Sequence, residues 1–210
     1  MSVTINNTLD QFEVIVGTMY TDDFQAYSVG SIDGQGNWVN ALNVMAIADA
    51  DGDKYYYPNY VSSSYYSAAY YNVAFTNDHR SKATIQNISS VGYIGVVVRC
   101  DGNDGGNYYV YLVNNAARWV EKRVDGVAAD IATVAAGVSV GNTIELRVNG
   151  STITAYLNGA VDTALGDAMG DSTGTAGVYG DTSLTTGKPG ILGKGVTTVC
   201  AADDWEGEDI

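Results

Sequence analysis

Residues 142–165 read NTIELRVNGSTITAYLNGAVDTAL, a stretch in which apolar and polar side chains alternate. A period of two predicts β-strands whose apolar residues share one face, as Ile144, Leu146 and Val148 do here. Asn149-Gly150 and Asn158-Gly159 interrupt the pattern, and Asn-Gly accepts the positive φ angles of a type I′ turn, whose twist matches paired strands. The segment therefore predicts a three-stranded antiparallel meander.

Three segments upstream of the meander have the same strand-like character. They are GYIGVVVRC (92–100), NYYVYLVN (107–114) and RWVEKRVDG (118–126). Residues 126–141 are rich in Ala and Val, but their β-branched side chains and flanking glycines favour an extended segment over a helix. The central part of the chain therefore consists of consecutive antiparallel strands.

The composition agrees with an all-β chain, since 25 of the 210 residues are glycine and only 2 are proline. Many short strands joined by tight glycine turns predict a two-sheet antiparallel sandwich of jelly-roll type, and a chain of this length fills one such domain. We assign residues 21–210 to the sandwich. Residues 1–20 are expected to form an N-terminal arm or an extra strand.

Charge and hydropathy exclude several classes of partner. The 24 acidic and 10 basic side chains give a formal charge of −14, which repels nucleic-acid phosphates and anionic lipids. No apolar run is long enough to span a membrane, and residues 1–12 lack the basic and apolar regions of a secretory signal. We therefore expect neither a nucleic-acid nor a membrane partner, and synthesis in the cytoplasm or export by another route.

The cysteines and the histidine carry no recognisable metal motif. Cys100 and Cys200 form no CxxC pair, and His79 is the one histidine of the chain. Buried free thiols are the expectation, and a disulfide requires that the strands ending at the two cysteines lie side by side. His79 is expected to be structural or to face solvent.

Several segments together resemble the concanavalin A-like lectin/glucanase superfamily. They are TDDFQAYSVGSIDGQGNW (21–38), AFTNDHRSKATIQNI (74–88), YIGVVVRCDGNDGGNYYVYLVN (93–114), GNTIELRVNGSTITAYLNG (141–159) and DDWEGEDI (203–210). The resemblance spans residues 21–210 and implies two curved sheets whose first and last strands, at DDF and DDW, lie near each other. It leaves function open, because such folds carry many activities.

The catalytic patterns of that superfamily are missing, so we predict that the chain is not an enzyme. Its glycoside hydrolases place alternate carboxylates on one strand as ExDxxE or ExDxE. Glu121 and Asp125 have the wrong spacing, and the acidic residues 206–209 lie at the chain end, so surface charge is the expectation for both. Lyase relatives use an Arg-rich strand and a Gln-x-His, whereas Arg99 is isolated here.

Two acidic clusters are candidate calcium ligands. The segment DADGD (49–53) departs from an EF-hand loop in its glycine position and lacks the bidentate glutamate, so it predicts a turn with solvated carboxylates. Asp22, Asp23, Asp203 and Asp204 would repel one another on neighbouring terminal strands, which a structural Ca²⁺ would relieve. Solvent exposure or turn capping is the alternative for these four residues.

Tyrosine is unusually frequent, at 16 residues, and its flat ring with a polar edge favours both sugar stacking and protein interfaces. Residues 54–71, KYYYPNYVSSSYYSAAYY, predict a long loop or a pair of edge strands. Tyr109 and Tyr111 share a strand face with Trp119 on the next strand, so they form either a concave platform or core. The candidate glycan-binding or interface residues are Tyr55, Tyr56, Tyr57, Tyr65, Tyr66, Tyr70, Tyr71, Tyr109 and Tyr111.

Two functions of different class follow. Stand-alone domains of this kind without a signal peptide resemble phage-encoded particle proteins. This resemblance implies a non-catalytic structural or decoration protein at the virion surface, with other virion proteins and further copies of itself as partners. The alternative is a free, extracellular carbohydrate-binding module that recognises a glycan through tyrosine stacking. A glycoside hydrolase or polysaccharide lyase ranks third.

Overall fold

The computed structural model describes residues 3–5, 14–59, 66–102, 106–166, 175–195 and 200–210, with side chains described from residue 17 onward. These residues form nineteen strands and one short 3₁₀ helix, Thr163–Leu165. The strands are β1 (Val3–Ile5), β2 (Val14–Val16), β3 (Met19–Asp22), β4 (Gly30–Ser31), β5 (Trp38–Leu42), β6 (Met45–Ala50), β7 (Asp53–Pro58), β8 (Tyr66–Tyr71), β9 (His79–Asn87), β10 (Tyr93–Cys100), β11 (Tyr108–Val113), β12 (Arg118–Val124), β13 (Val127–Val134), β14 (Thr143–Asn149), β15 (Thr152–Leu157), β16 (Ala160–Val161), β17 (Val178–Gly180), β18 (Lys188–Lys194) and β19 (Ala201–Asp209).

Two antiparallel sheets pack face to face, which confirms the predicted all-β sandwich. The seven-stranded sheet has the order β13-β12-β11-β10-β18-β8-β5, and the ten-stranded sheet the order β16-β15-β14-β9-β19-β7-β6-β4, with β17 on β15 and β3 on β19. Strands β1 and β2 form a separate hairpin. The core between the two sheets includes Ile144, Leu146 and Val148 from one sheet and Val96 and Val98 from the other.

The predicted meander is confirmed as β14, β15 and β16. Its second turn is of the predicted kind, because Asn158 and Gly159 both have positive φ, at 53° and 80°. The first turn differs from the prediction. Asn149 pairs with Thr152, so the central residues are Gly150 and Ser151, and of these two only Gly150 has a positive φ, as in a type II′ turn.

The first and last strands of the sandwich lie side by side, as the resemblance implied. In β3 and β19, Asp22 lies opposite Trp205 and Met19 opposite Glu208. Strand β3 begins at Met19, so the last residues of the segment assigned to an arm pair with the main sheet. Pairing of the chain ends brings the DDF and DDW motifs to one place.

The tyrosine-rich segment does not form a pair of edge strands, so this prediction is wrong. Strand β7 lies between β6 and β19 in the ten-stranded sheet, and β8 lies between β18 and β5 in the other sheet. The sequence did not reveal the switch of sheet, because a run of tyrosines gives no clear period of two. Tyr60 and Tyr65 lie outside the described residues.

The structure also places the two cysteines and the DADGD segment. Cys100 and Cys200 are both buried free thiols. The DADGD segment is a turn between β6 and β7, in which the carboxylate of Asp49 accepts a hydrogen bond from the backbone N–H of Gly52 at 2.8 Å. None of the helices in the described residues has the length and apolar character needed to cross a membrane.

Candidate functional site

The outer face of the seven-stranded sheet carries a row of aromatic side chains, which we call the aromatic face. Alternation along β8, β10, β11 and β12 turns five rings to this side, away from the core. They are Tyr66, Tyr70, Tyr93, Tyr108 and Trp119. Tyr108 is fully buried, whereas the other four remain partly exposed.

This face is concave. Strands β8 and β12 are separated by three strands, so a flat sheet would place them about 19 Å apart. Yet the hydroxyl of Tyr66 on β8 donates a hydrogen bond of 2.7 Å to Oε2 of Glu121 on β12. The sheet must therefore curl toward its outer side, which brings the two side chains together across a trough.

Several apolar side chains on this outer face are inaccessible. Val97, Val110 and Leu112 are fully buried although they point away from the core between the sheets. The Tyr66–Glu121 bridge joins the two sides of the trough above these strands. The accessible rings consequently border the trough, where Tyr93 and Trp119 pack edge to face with centroids 4.1 Å apart.

Hydrogen-bonding groups without partners are concentrated on the same face. The Tyr108 hydroxyl, Oε1 of Glu121 and Nε of Arg123 are buried and have no hydrogen-bond partner within the described part of the chain. In the β11–β12 ladder, Tyr108 lies opposite Arg123, and Glu121 lies two residues before Arg123 on the same strand. The three groups are therefore neighbours. A buried polar group without a partner costs about 1–3 kcal/mol, which a hydroxyl-bearing ligand or water would recover.

Charges surround this cluster. Burial raises the pKa of the Glu121 carboxyl, as does the charge of Asp130, while the Tyr66 hydrogen bond and the charges of Lys194 and Arg123 lower it. Lys194 lies over the Tyr66 ring at 4.7 Å, and Lys188 lies over the Tyr70 ring at 5.4 Å. Both rings therefore already carry a cation on one side.

A cleft of about 600 Å³ opens at the Tyr70 end of the aromatic face. Tyr70 and Lys188 line it together with Asn72, Cys100 and Asp101. Lys188 donates a hydrogen bond to the side chain of Asn72, a neutral partner. The aromatic face thus continues into an open, polar cavity.

The candidate tyrosines of the sequence are divided among three places. Tyr66 and Tyr70 lie on the aromatic face, while Tyr55 and Tyr57 lie side by side on the outer face of the ten-stranded sheet. Tyr56, Tyr71, Tyr109 and Tyr111 point into the core.

Of the two alternatives for Tyr109 and Tyr111, a concave platform or core, the structure shows core. Trp119 lies opposite Leu112 and points outward, whereas the two tyrosines point inward. Fully buried rings such as Tyr109 and Tyr111 offer no surface for stacking. Their hydroxyls instead donate hydrogen bonds to Asp181 and Asp162, at 2.7 and 2.6 Å.

Sequence reasoning missed Tyr93, Tyr108 and Arg123, and it assigned Glu121 to surface charge. Strand β11 is apolar on both faces, so its period could not show which tyrosines point outward. The register between β11 and β12 supplies that information. The RWVEKRV segment alone does place Trp119, Glu121 and Arg123 on one face, which was the available signal.

The lone histidine has a structural role, one of the two alternatives expected. His79 is fully buried; its Nε2 accepts the backbone N–H of Arg99 at 3.1 Å, so Nδ1 donates to the carbonyl of Thr76 at 2.8 Å. Burial lowers the pKa of His79 to about 4. Arg99 is itself buried and donates to the carbonyls of Leu184 and Gly150, each at 2.6 Å, so neither side chain is available for lyase chemistry.

Asp22, Asp23 and Asp204 border a second cleft, of about 590 Å³, together with Tyr27, Tyr71 and Glu206. Asp22 accepts hydrogen bonds from the hydroxyl of Tyr27, the indole of Trp38 and the backbone of Phe24. In the ranges that the structure describes, no three carboxylate, thiol or imidazole side chains are grouped to hold a metal ion.

Asp203 in this region has an unusual environment. Its side chain is buried, and desolvation raises its pKa to about 7 although the backbone N–H of Asp204 donates to Oδ1 at 2.8 Å. The negative charges of Asp204, Asp53 and Asp23 raise the pKa further. Asp203 is therefore about half protonated near neutral pH.

Replacing Asp203 with asparagine is expected to stabilise the protein at pH 8.5 and to have little effect at pH 4. Since the folded pKa is above the unfolded value, the wild type loses stability as pH rises toward 7, and the neutral amide avoids that loss. We expect a gain on the order of 2 kcal/mol at the higher pH. Urea unfolding at both pH values measures it, with the exposed neighbour Asp204→Asn as control; equal effects of Asp203→Asn at both pH values would contradict the assignment.

No protein-family model matches this sequence, and a search of curated proteins finds no match. Solved structures share its fold. The carbohydrate-binding module CBM66 from Bacillus subtilis is 15% identical with a TM-score of 0.56, covering 81% of this chain and 93% of its own. A Bacillus subtilis protein of unknown function with a galectin-like fold is 13% identical, with a TM-score of 0.60 and coverage of 90% and 94%. The Ca²⁺-bound exoplasmic/lumenal domain of VIP36 is 10% identical, with a TM-score of 0.55 and coverage of 91% and 89%. The chain thus has the fold of galectin-like and carbohydrate-binding-module sandwiches, consistent with the concanavalin A-like architecture.

Proposed function

We propose that this chain is a non-catalytic carbohydrate-binding domain that holds a glycan on its aromatic face. The observation that carries the proposal is the concave outer face of the seven-stranded sheet, bordered by the partly exposed rings of Tyr66, Tyr70, Tyr93 and Trp119. The fold shared with CBM66 supports it.

The chemistry of the face matches the two sides of a sugar. The C–H faces of a sugar ring are apolar and pack on aromatic rings, while its hydroxyls donate and accept hydrogen bonds. Trp119 on β12 provides a ring at one side of the trough and Tyr70 on β8 provides one at the other, while Tyr93 lies on the middle strand, β10, and packs on Trp119. Between these positions lie Glu121, whose side chain is buried, and Arg123, which is partly exposed and can donate to a sugar hydroxyl.

The test is the affinity of a Trp119→Ala variant for glycans that the wild type binds on an array. Loss of a central aromatic contact is expected to weaken binding between ten- and hundredfold, about 1.4–2.8 kcal/mol. Tyr156→Ala is the matched control, because Tyr156 is a partly exposed ring on the opposite sheet, beneath Arg147. Equal losses in both variants, or no effect of Trp119→Ala at an unchanged melting temperature, would refute the aromatic face as the site.

The virion role proposed from the sequence rests on the resemblance to phage-encoded particle proteins. It is compatible with glycan binding, since an outward module of a particle can hold a glycan on the same face. A defined oligomer of the full chain in light scattering would support this role. A monomer would favour the free, extracellular module.

A further inference from the structure

We propose that the glycan on the aromatic face is an acidic polysaccharide, one whose sugars carry carboxylate or sulfate groups. This inference rests on the proposed function and names its ligand class. It is drawn from the positions of cations that lack an acidic partner.

Six of the ten lysines and arginines form ion pairs with carboxylates. The six are Arg80, Lys82, Arg99, Arg118, Lys122 and Arg147. The other four, in the described structure, have no carboxylate within ion-pair distance: Lys54, Arg123, Lys188 and Lys194. Three of these four, all except Lys54, belong to β12 and β18 on the aromatic face.

This distribution is unexpected in so acidic a chain. With 24 acidic side chains against 10 basic ones, a lysine at the surface readily finds a carboxylate. On the outward positions of the seven strands, however, Arg123, Lys188 and Lys194 are accompanied by two carboxylates, Glu121 and Asp130. Asp101 also borders the cleft beside Lys188. What distinguishes the face is therefore its three cations without an ion-pair partner among the described residues, on a protein whose formal charge is −14.

The partners of the three cations leave them able to bind an anion. Lys194 contacts the Tyr66 ring and lies 3.4 Å from its hydroxyl, and Lys188 contacts the Tyr70 ring and the neutral side chain of Asn72. Nε of Arg123 is buried without a partner. Arg123 as a whole is nevertheless partly exposed, and an accessible guanidinium is suited to a carboxylate or sulfate oxygen.

The spacing of the cations favours a chain over a single sugar. Lys188 and Lys194 lie at opposite ends of β18, six residues and about 20 Å apart. Each lysine stands beside an aromatic ring, so each end of the strand presents one cation and one ring. A linear polymer with anions at intervals can occupy both ends at once, and the second contact then forms at a high effective concentration.

Two matched pairs of polymers test the proposal. Polygalacturonate and its fully methyl-esterified form share one backbone and differ in carboxylate charge, and dextran sulfate and dextran differ in sulfate. Affinities are measured by calorimetry at 50 mM salt for the wild type and for Lys188→Gln, Lys194→Gln and Arg123→Gln. Lys54→Gln is the control, since it removes the same charge from β7 on the other sheet. Poly(dT) tests for a nucleic acid as the anion.

We expect the acidic member of at least one pair to bind at least tenfold more tightly than its neutral member. Each of the three face variants should lose about tenfold, as for one charge-assisted hydrogen bond, while Lys54→Gln should lose less than twofold. The pair that shows the preference identifies carboxylate or sulfate as the anion.

Other outcomes overturn the proposal. Equal, Trp119-dependent binding of acidic and neutral polymers would refute the acidic ligand and leave glycan binding intact. Absence of binding to all four polymers, with no hit on the glycan array, would refute the proposed function as well. Equal losses of affinity in Lys54→Gln and the face variants would show that only the net charge of the protein matters. Tighter binding of poly(dT) than of either acidic polysaccharide would identify a nucleic acid as the ligand.

Discussion

Asp162→Ala will lower the free energy of unfolding by about 3–5 kcal/mol, because it leaves a buried guanidinium without its counter-ion. Arg118 and Asp162 are each about 5% exposed, and they form two hydrogen bonds, of 2.7 and 2.9 Å. The Tyr111 hydroxyl donates a third to the same carboxylate. Although burial raises the pKa of Asp162, these bonds hold it below its usual value, so the pair is ionised at neutral pH.

A second Tyr–Asp–cation group in the same chain provides the control. Tyr109 and Lys122 both donate to Asp181, but the Lys122 side chain is 30% exposed, against 6% for that of Arg118. Water can solvate the lysine when its partner is removed, so we expect Asp181→Ala to cost about 1–2 kcal/mol. Urea unfolding at pH 7 compares the two variants, and an equal cost would show that burial of the cation is not what matters.

The ion pair also bears on the proposed site. Arg118 immediately precedes Trp119, and its guanidinium donates to the carbonyls of Ala136 and Gly137, beyond the end of β13. It thus fixes the start of β12, the strand that presents Trp119, Glu121 and Arg123. We expect part of any loss of glycan affinity in Asp162→Ala to be recovered in the apolar double variant Arg118→Met/Asp162→Leu, which removes both buried charges together.

The sandwich could be predicted because its strands follow a simple rule. In residues 142–165 one face is buried and the other is not, so the period of two and the Asn-Gly turns were sufficient to predict β14, β15 and β16. The pairing of DDF with DDW followed from a resemblance that covers most of the chain, and β3 and β19 confirm it.

The site could not be predicted in the same way, because it depends on faces and on curvature. In β11 apolar side chains point both ways, so Tyr108 and Tyr109 are equivalent in sequence and opposite in structure. The contact between Tyr66 and Glu121 joins residues 55 positions apart through the curl of a sheet, which no local pattern encodes. The run of tyrosines from 55 to 71 is likewise divided between two sheets, and only the pairing of β7 and β8 shows the division.

In the ten-stranded sheet, Arg80 is the centre of a cluster of ion pairs. This side chain, 11% exposed, pairs with Glu145, Glu206 and Glu208 at 3.4, 3.0 and 2.6 Å, so one cation joins β9, β14 and β19. Glu145 and Glu208 are themselves less than 10% exposed. Without the guanidinium, these carboxylates would repel one another, and because they are poorly exposed to water the repulsion would be poorly screened.

Arg80→Met is therefore expected to cost about 3 kcal/mol of unfolding free energy at pH 7.5 and distinctly less at pH 4. Burial opposes ionisation of Glu206, but Lys82 and Arg80 hold its pKa below the usual value, so its stabilising contribution is present above the unfolded pKa and is lost as pH falls. In the variant, Glu206 loses the support of Arg80 and takes up a proton at higher pH, which relieves part of the repulsion. Lys82→Met is the control, because Lys82 is 28% exposed and, among the described residues, pairs with Glu206 alone. We expect it to cost less than about 1 kcal/mol. A cost of Arg80→Met that did not shrink between pH 7.5 and pH 4 would mean that the methylene packing of Arg80, and not its charge, joins the three strands.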